Sequence, residues 1–128
     1  MDDNESIRAF LGHFFRLEDL PVEIHGSSRA ALERFRAAPQ DYSLLLTDCE
    51  MPGLTGLELA RQVRQVRQDL PMIIFSTSVS VQGAEPFLKS GFVAALPKPV
   101  ALDTLRAALR NALPPALSTP PASPAPQP

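Results

Sequence analysis

The sequence predicts an α/β domain built as a doubly wound parallel sheet. Three observations predict it: apolar runs without alternation that stop abruptly at a polar residue, stretches of helical periodicity between those runs, and turn residues at the joints. A strand covered on both faces has no polar side to show, so its sequence does not alternate. Helices between such strands connect them in parallel by right-handed crossovers. Ligand sites in these sheets lie beyond the carboxyl ends of the strands.

Along the chain, Ile7, Phe10, Leu11, Phe14 and Leu17 recur at helical spacing, which predicts a first helix over 5–20. Pro21 closes it. Val22-Glu23-Ile24-His25 alternates like a short strand, and Ser27 and Ser28 are candidate N-caps for a helix whose inner face is Ala31, Leu32 and Phe35. The apolar run 42–48 reads as a central strand ending in Asp48. Met51-Pro52-Gly53-Leu54-Thr55-Gly56 supplies a turn, and Leu57, Ala60, Val63 and Val66 mark the next helical face. The segment 71–76 repeats the buried-strand pattern and ends in Ser76. A weaker helix is predicted over 83–91 around Phe87 and Leu88, a last strand over 93–99, and a last helix through Leu102, Leu105 and Leu109 to about Leu113. The segment 114–128 holds seven prolines among fifteen residues and is expected to be an extended tail or linker, leaving 1–113 as the one domain.

The bulk composition narrows the function classes. Apolar residues at 45% and charged residues at 20% are ordinary for a packed globular domain. A net charge of -2 gives no electrostatic case for direct binding to nucleic acid or anionic membrane, so the expected partners are proteins. The acidic start Met1-Asp2-Asp3-Asn4-Glu5 is unlike a secretory signal, no apolar run is long enough to span a bilayer, and the single Cys49 fits a reducing compartment. These features lead us to expect a cytoplasmic location. His13 and His25 lack ligand-spaced partners and read as surface or edge residues, and Cys49 as a small core residue.

Three predicted strands end in Asp48, Ser76 and Lys98, so the topology gathers a carboxylate, a hydroxyl and an ammonium at one rim. In chain order, Asp2-Asp3 before the first helix, Asp48 within Leu46-Thr47-Asp48-Cys49-Glu50-Met51-Pro52-Gly53, Ser76 after an apolar strand, and Lys98-Pro99 resemble the signature of the response regulator receiver domain of two-component signalling. The resemblance extends from Asp2 to Leu113, and the phrase from Thr47 to Pro52 is similar to receivers attached to hybrid sensor kinases. It implies a five-stranded flavodoxin-like sheet whose first, central strand is missing from this chain.

The resemblance implies that Asp48 is the phosphoacceptor, taking a phosphoryl group from a histidine kinase or phosphotransfer protein and signalling to an output protein by a change of conformation. A carboxylate can act as nucleophile toward such a donor, in a step that needs chiefly positioning and charge neutralisation. Carboxylates crowded at one rim repel one another unless a cation intervenes, and Mg²⁺ meets that need, with Asp3, Asp48 and the backbone carbonyl of Glu50 as direct oxygens and Asp2 through water. Lys98 would pair with a phosphoryl oxygen and Ser76 would donate to another. The implied activity is self-phosphorylation and autodephosphorylation, not metabolic enzymology, and the Lys98–Pro99 bond is implied to be cis.

The sequence departs from the pattern in two places. Only Met1 precedes the acidic pair, where a receiver has a central apolar strand. Four missing aliphatic side chains, at roughly 1.5–3 kcal/mol each, amount to about 6–12 kcal/mol, the size of a whole domain's stability. One expectation is that the reading frame continues upstream of Met1; the competing one is a module that borrows a strand from a partner. The second departure is Ala95, where many receivers carry Tyr or Phe, so switching through that ring cannot operate in its usual form. Thr77 narrows access to the site. The alternative function is a pseudo-receiver, a protein-interaction module that keeps the fold without phosphoryl turnover.

Overall fold

The computed structural model describes residues 1–2, 4–49 and 53–113. The expected roles of Asp3 and Glu50, the turn at Met51 and Pro52, and the tail 114–128 lie outside the described residues.

Helix α1 (Glu5–Leu17) is started by Asn4, whose side chain accepts from the Ile7 N–H at 3.1 Å. Its buried stripe is Leu11, Phe14 and Phe15, whereas Leu17 is 69% exposed and Phe10 faces outward. The helix ends before the predicted position 20 because the chain turns at Asp19, whose φ of 58° is left-handed. Of the two candidate caps of α2 (Ser28–Ala37), Ser27 accepts from the Ala30 N–H at 3.3 Å. Ser28 instead donates its hydroxyl to the Leu54 carbonyl at 2.7 Å, tying α2 to the loop before the next helix.

Strand β1 (Leu45–Asp48), helix α3 (Gly56–Val66), strand β2 (Met72–Ser76), helices α4 (Thr77–Gln82) and α5 (Glu85–Lys89), strand β3 (Ala94–Pro97) and helix α6 (Leu102–Ala112) follow in order. The strands form a parallel sheet in the order β1-β2-β3, with Asp48 opposite Phe75 and Ser76 opposite Pro97. Successive side chains of β2 point to opposite faces. Ile73 packs with Leu11, Phe14, Leu105 and Leu109 of α1 and α6, and Ile74 with Leu32, Leu59, Val63 and Phe87 of α2, α3 and α5. Both isoleucines are fully buried, which is the two-faced coverage that the unalternating runs required.

Two predicted elements are corrected. The segment 22–25 is not a strand, because the position beside it that a central strand would fill holds only Met1 and Asp2, and an alternating sequence cannot form a ladder without a neighbour. The helix predicted over 83–91 is present but shorter, as α5, and it is preceded by α4 over 77–82, which the sequence did not announce. Gly83, at φ 83°, ends α4, and Pro86 stands in the opening turn of α5. No helix among the described residues is long and apolar enough to cross a membrane.

Candidate functional site

The carboxyl end of β1 delivers Asp48, and the close approach of α3 fixes the backbone there. The Gly56 N–H donates to the Cys49 carbonyl at 2.9 Å, and a Cβ at Gly56 would lie 1.9 Å from the Asp48 carbonyl oxygen, so only glycine fits. The approach angle is held by a capping box at the start of α3, in which Thr55 and Glu58 bond each other's backbone N–H groups.

Asp48 is held by both of its carboxylate oxygens. Oδ1 accepts from the Cys49 N–H at 2.7 Å, and Oδ2 lies 3.3 Å from Lys98 Nζ. The same ammonium donates to Asp2 Oδ2 at 2.7 Å, so two carboxylates from opposite ends of the chain share one cation. Asp2 and Asp48 are buried, and Lys98 is mostly so. Lys98 Nζ also stands 4.9 Å above the ring centroid of Phe75, whose face offers a second attraction for the charge.

Electrostatics follow from burial and this shared charge. Burial pushes the Asp48 carboxyl above the ordinary range, Lys98 pulls it back, and the like charge of Asp2 raises it again. Burial alone would lower the Lys98 pKa; the hydrogen bond it donates to Asp2 and the attraction of both carboxylates outweigh it and hold the ammonium above its usual value. The α-amino group of Met1 is lowered to about 6, chiefly by burial, with Asp2 and Asp48 opposing.

Ser76 is fully buried at the end of β2, and its Oγ accepts from the Ser78 N–H at 3.0 Å, making it the N-cap of α4. The Lys98 N–H donates to the Ser76 carbonyl at 3.3 Å, which joins the ends of β2 and β3. The Lys98–Pro99 bond is cis, as the resemblance implied. Of the sequence-predicted residues, Asp2, Asp48 and Lys98 are therefore in direct contact, and Ser76 is on the neighbouring strand end. Ala95 is half-buried against the α2–α3 core, Thr77 is exposed at the first position of α4, and His13 is exposed. Sequence reasoning missed Phe75 under the ammonium and Arg8, whose guanidinium donates to the Asp2 carbonyl at 3.0 Å. Only the position of Phe75 next to Ser76 could have signalled the first, and nothing in the spacing of Arg8 the second.

The residues fit a divalent cation to the extent that two buried carboxylates converge on one positive charge, the hard-oxygen donor type that Mg²⁺ takes.

Comparison with known proteins bears on the whole rim and on the fold that carries it. Residues 1–110 match the family described as "Response regulator receiver domain". The chain is 34% identical over 113 residues to the response regulator MprA of Mycolicibacterium vanbaalenii, covering 88% of this chain and 48% of that protein. It is 32% identical over 92 residues to the aerobic respiration control sensor protein ArcB of Escherichia coli, covering 70% of this chain and 12% of that protein. The chain thus spans half or less of the curated relatives it matches. Among solved structures, a response regulator receiver domain protein from Clostridium thermocellum superposes with a TM-score of 0.80 at 25% identity, covering 87% of this chain and 88% of that one. The chemotaxis protein CheY4 of Vibrio cholerae superposes with a TM-score of 0.77 at 27% identity, covering 88% and 93%. Nothing in these comparisons favours an interaction module without phosphoryl turnover. A match over nearly the whole described chain, on a parallel sheet whose rim joins an aspartate, a serine and a lysine, leads to one conclusion: this chain belongs to the response regulator receiver domain family, the flavodoxin-like phosphoacceptor fold of two-component signalling.

Proposed function

We propose that Asp48 is the phosphoacceptor of this receiver, with Lys98 and Ser76 as its positioning and charge-neutralising partners. The observation that carries the reading is the buried Asp48 carboxylate, oriented by the Cys49 N–H on one oxygen and by Lys98 on the other. In the proposed step, one carboxylate oxygen attacks the phosphorus of a phosphohistidine or small acyl phosphate. An O–P bond forms to Asp48, the donor's N–P or O–P bond breaks, and the leaving group keeps the electron pair. Lys98 balances the charge of a phosphoryl oxygen, and the Ser76 O–H donates to another while its acceptor side serves the cap of α4. Asp2 and Asp48, with Asp3 and the carbonyl of Glu50, would hold Mg²⁺, which when bound supplies neutralisation of the incoming phosphoryl charge. Water attack on the acyl phosphate returns the carboxylate, so turnover is confined to self-phosphorylation and slow autodephosphorylation.

The proposed donors are a histidine kinase or phosphotransfer protein, and the proposed receiver of the signal is an output protein. No direct contact with nucleic acid is proposed. The acidic surface balance supports this reading. The test is the intact mass of the chain after incubation with Mg²⁺ and acetyl phosphate, beside Asp48→Asn. A single phosphoryl adduct that needs Mg²⁺ and is lost in the variant is the expected result. No adduct on a cooperatively folded chain, or an adduct retained by Asp48→Asn, overturns the assignment.

A further inference from the structure

Strand order dictates what the Lys98 side chain must cross. Asp48 ends β1 and Lys98 follows β3, with β2 between them, so the ammonium spans two strand spacings, about 10 Å, to reach the carboxylate. Register fixes the side chain that lies in between. Asp48 is opposite Phe75 and Phe75 is opposite Leu96, and partners in a parallel pair project from the same face. Leu46, Ile73 and Leu96 pack into the α1–α6 layer, and Asp48, Phe75 and Lys98 each follow one of them by two residues. Phe75 is thus the residue of β2 over which the lysine passes, and Lys98 Nζ stands 4.9 Å from its ring centroid. The ring has no room to step aside. It is 2% exposed and packed in the layer of Leu11, Phe14, Leu105 and Leu109.

The three partners of the ammonium differ in what phosphoryl transfer asks of them. Asp2 and Asp48 are the carboxylates whose oxygens a divalent cation would claim, and Asp48 is also the nucleophile. The face of a phenyl ring ligates neither such a cation nor a phosphoryl group, and its attraction for an ammonium grows as water is excluded. Only 17% of the Lys98 side chain is exposed. We propose that Phe75 is a positioning residue for phosphoryl transfer: its ring face is the seat that keeps the Lys98 ammonium at the Asp48 rim while the carboxylates are otherwise engaged, so that the lysine meets the incoming phosphoryl oxygen already in place. This inference rests on the reading of Asp48 as phosphoacceptor. An aliphatic side chain at position 75 would fill the same space without attracting the charge. The four-carbon stem of Lys98 would then be free to carry its ammonium toward water, and its rotamer freedom would dilute the productive position.

The test replaces Phe75 alone by mono-, di- and trifluorinated phenylalanine, which keep the shape of the ring while each fluorine withdraws negative charge from its face. Phosphorylation of the full chain by acetyl phosphate at saturating Mg²⁺ is followed by intact mass, on the wild-type background and on Lys98→Met. The expected result is a rate that falls stepwise with fluorine number, to roughly a tenth with three. On Lys98→Met the series should be flat, because no ammonium remains to be held. A second readout needs no turnover. In the chain isotopically labelled at lysine, shielding by the ring should place the ε-methylene protons of Lys98 upfield of those of Lys89, whose side chain is 75% exposed. That separation should be present in EDTA, persist in Mg²⁺, vanish in Phe75→Leu and survive in Phe75→Tyr. A rate independent of fluorine number overturns the proposal, as does a fall of equal size with and without Lys98, or a Lys98 signal that joins that of Lys89 once Mg²⁺ is added. A wild-type chain that forms no adduct is a different failure: it removes the phosphoacceptor reading, and the part of the ring in transfer with it, even where the lysine signals place the ammonium over the ring.

Discussion

Replacing Lys98 by methionine keeps the aliphatic stem and removes the one charge that two buried carboxylates share. Asp2 Oδ2 at 2.7 Å and Asp48 Oδ2 at 3.3 Å lose their common partner together, and both side chains are less than one-tenth exposed. Breaking a buried ion pair by deleting one member costs about 3–5 kcal/mol, because the other charge stays desolvated and unmatched. Set against a typical domain stability of about 5–15 kcal/mol, this is a large fraction. For a domain of this size it corresponds to a midpoint lowered by about 12–20 °C. The assay is thermal and urea unfolding of wild type and Lys98→Met in EDTA across pH. The folded pKa of Lys98 is raised above 10.5, so its stabilisation is fully present below 10.5 and is lost as pH rises through the folded value; there the gap between the two proteins should close. Asp48 already sits above 3.8 in the folded state and would rise further without the ammonium, so the gap should also narrow as pH falls toward 3.8 and Asp48 of the variant takes up its proton. Millimolar Mg²⁺ should return part of the loss at neutral pH. A difference below about 1 kcal/mol, the size of a surface pair, or one that is flat across this range would refute the reasoning.

Three further outcomes follow from named contacts. Gly56→Ala forces a methyl group within 1.9 Å of the Asp48 carbonyl oxygen, and chemical denaturation should show a loss of about 3 kcal/mol, with a reduced rate of phosphorylation because the strand end must move. Leu105→Ala, at a side chain 1% exposed in the α1–α6 layer, should cost about 2–5 kcal/mol while leaving the yield of acyl phosphate unchanged under conditions where the variant is folded. Thr55→Ala removes the hydroxyl that accepts from the Glu58 N–H and donates to the Glu58 carboxylate, and should cost about 1 kcal/mol in urea unfolding, with Thr55→Ser restoring most of it.

The sheet was legible because buried parallel strands leave a plain mark. The runs through Leu46 and Ile73 are apolar on both faces, and each ends at a polar residue that the sheet cannot bury without a partner. The rim was legible for the same reason, since the ends of β1, β2 and β3 supply Asp48, Ser76 and Lys98 directly. What sequence could not give is how those ends interact. The sharing of Lys98 between Asp2 and Asp48 depends on contacts separated by 96 and 50 positions, and the ring of Phe75 beneath the ammonium depends on a rotamer. The strand expected over 22–25 failed because alternation is a local property, whereas a strand exists only when a neighbour accepts its hydrogen bonds. The helix expected over 83–91 came out shorter, as α5, because its apolar pair, Phe87 and Leu88, fits one turn as well as three. Gly83 and Pro86 carried the true boundaries.

The position of Ile73 and Ile74 has a thermodynamic consequence. These adjacent residues belong to different layers, so the domain contains two cores separated by the thickness of one backbone, sharing strands but few side-chain neighbours. Free-energy costs of substitutions should therefore sum when one lies in each layer, as for Leu105 with Leu59, and depart from a sum when both lie in one, as for Leu105 with Phe14. The sheet acts as an insulator for packing errors: a defect against α2 and α3 weakens the molecule without loosening the fit of α1 and α6 to the opposite face.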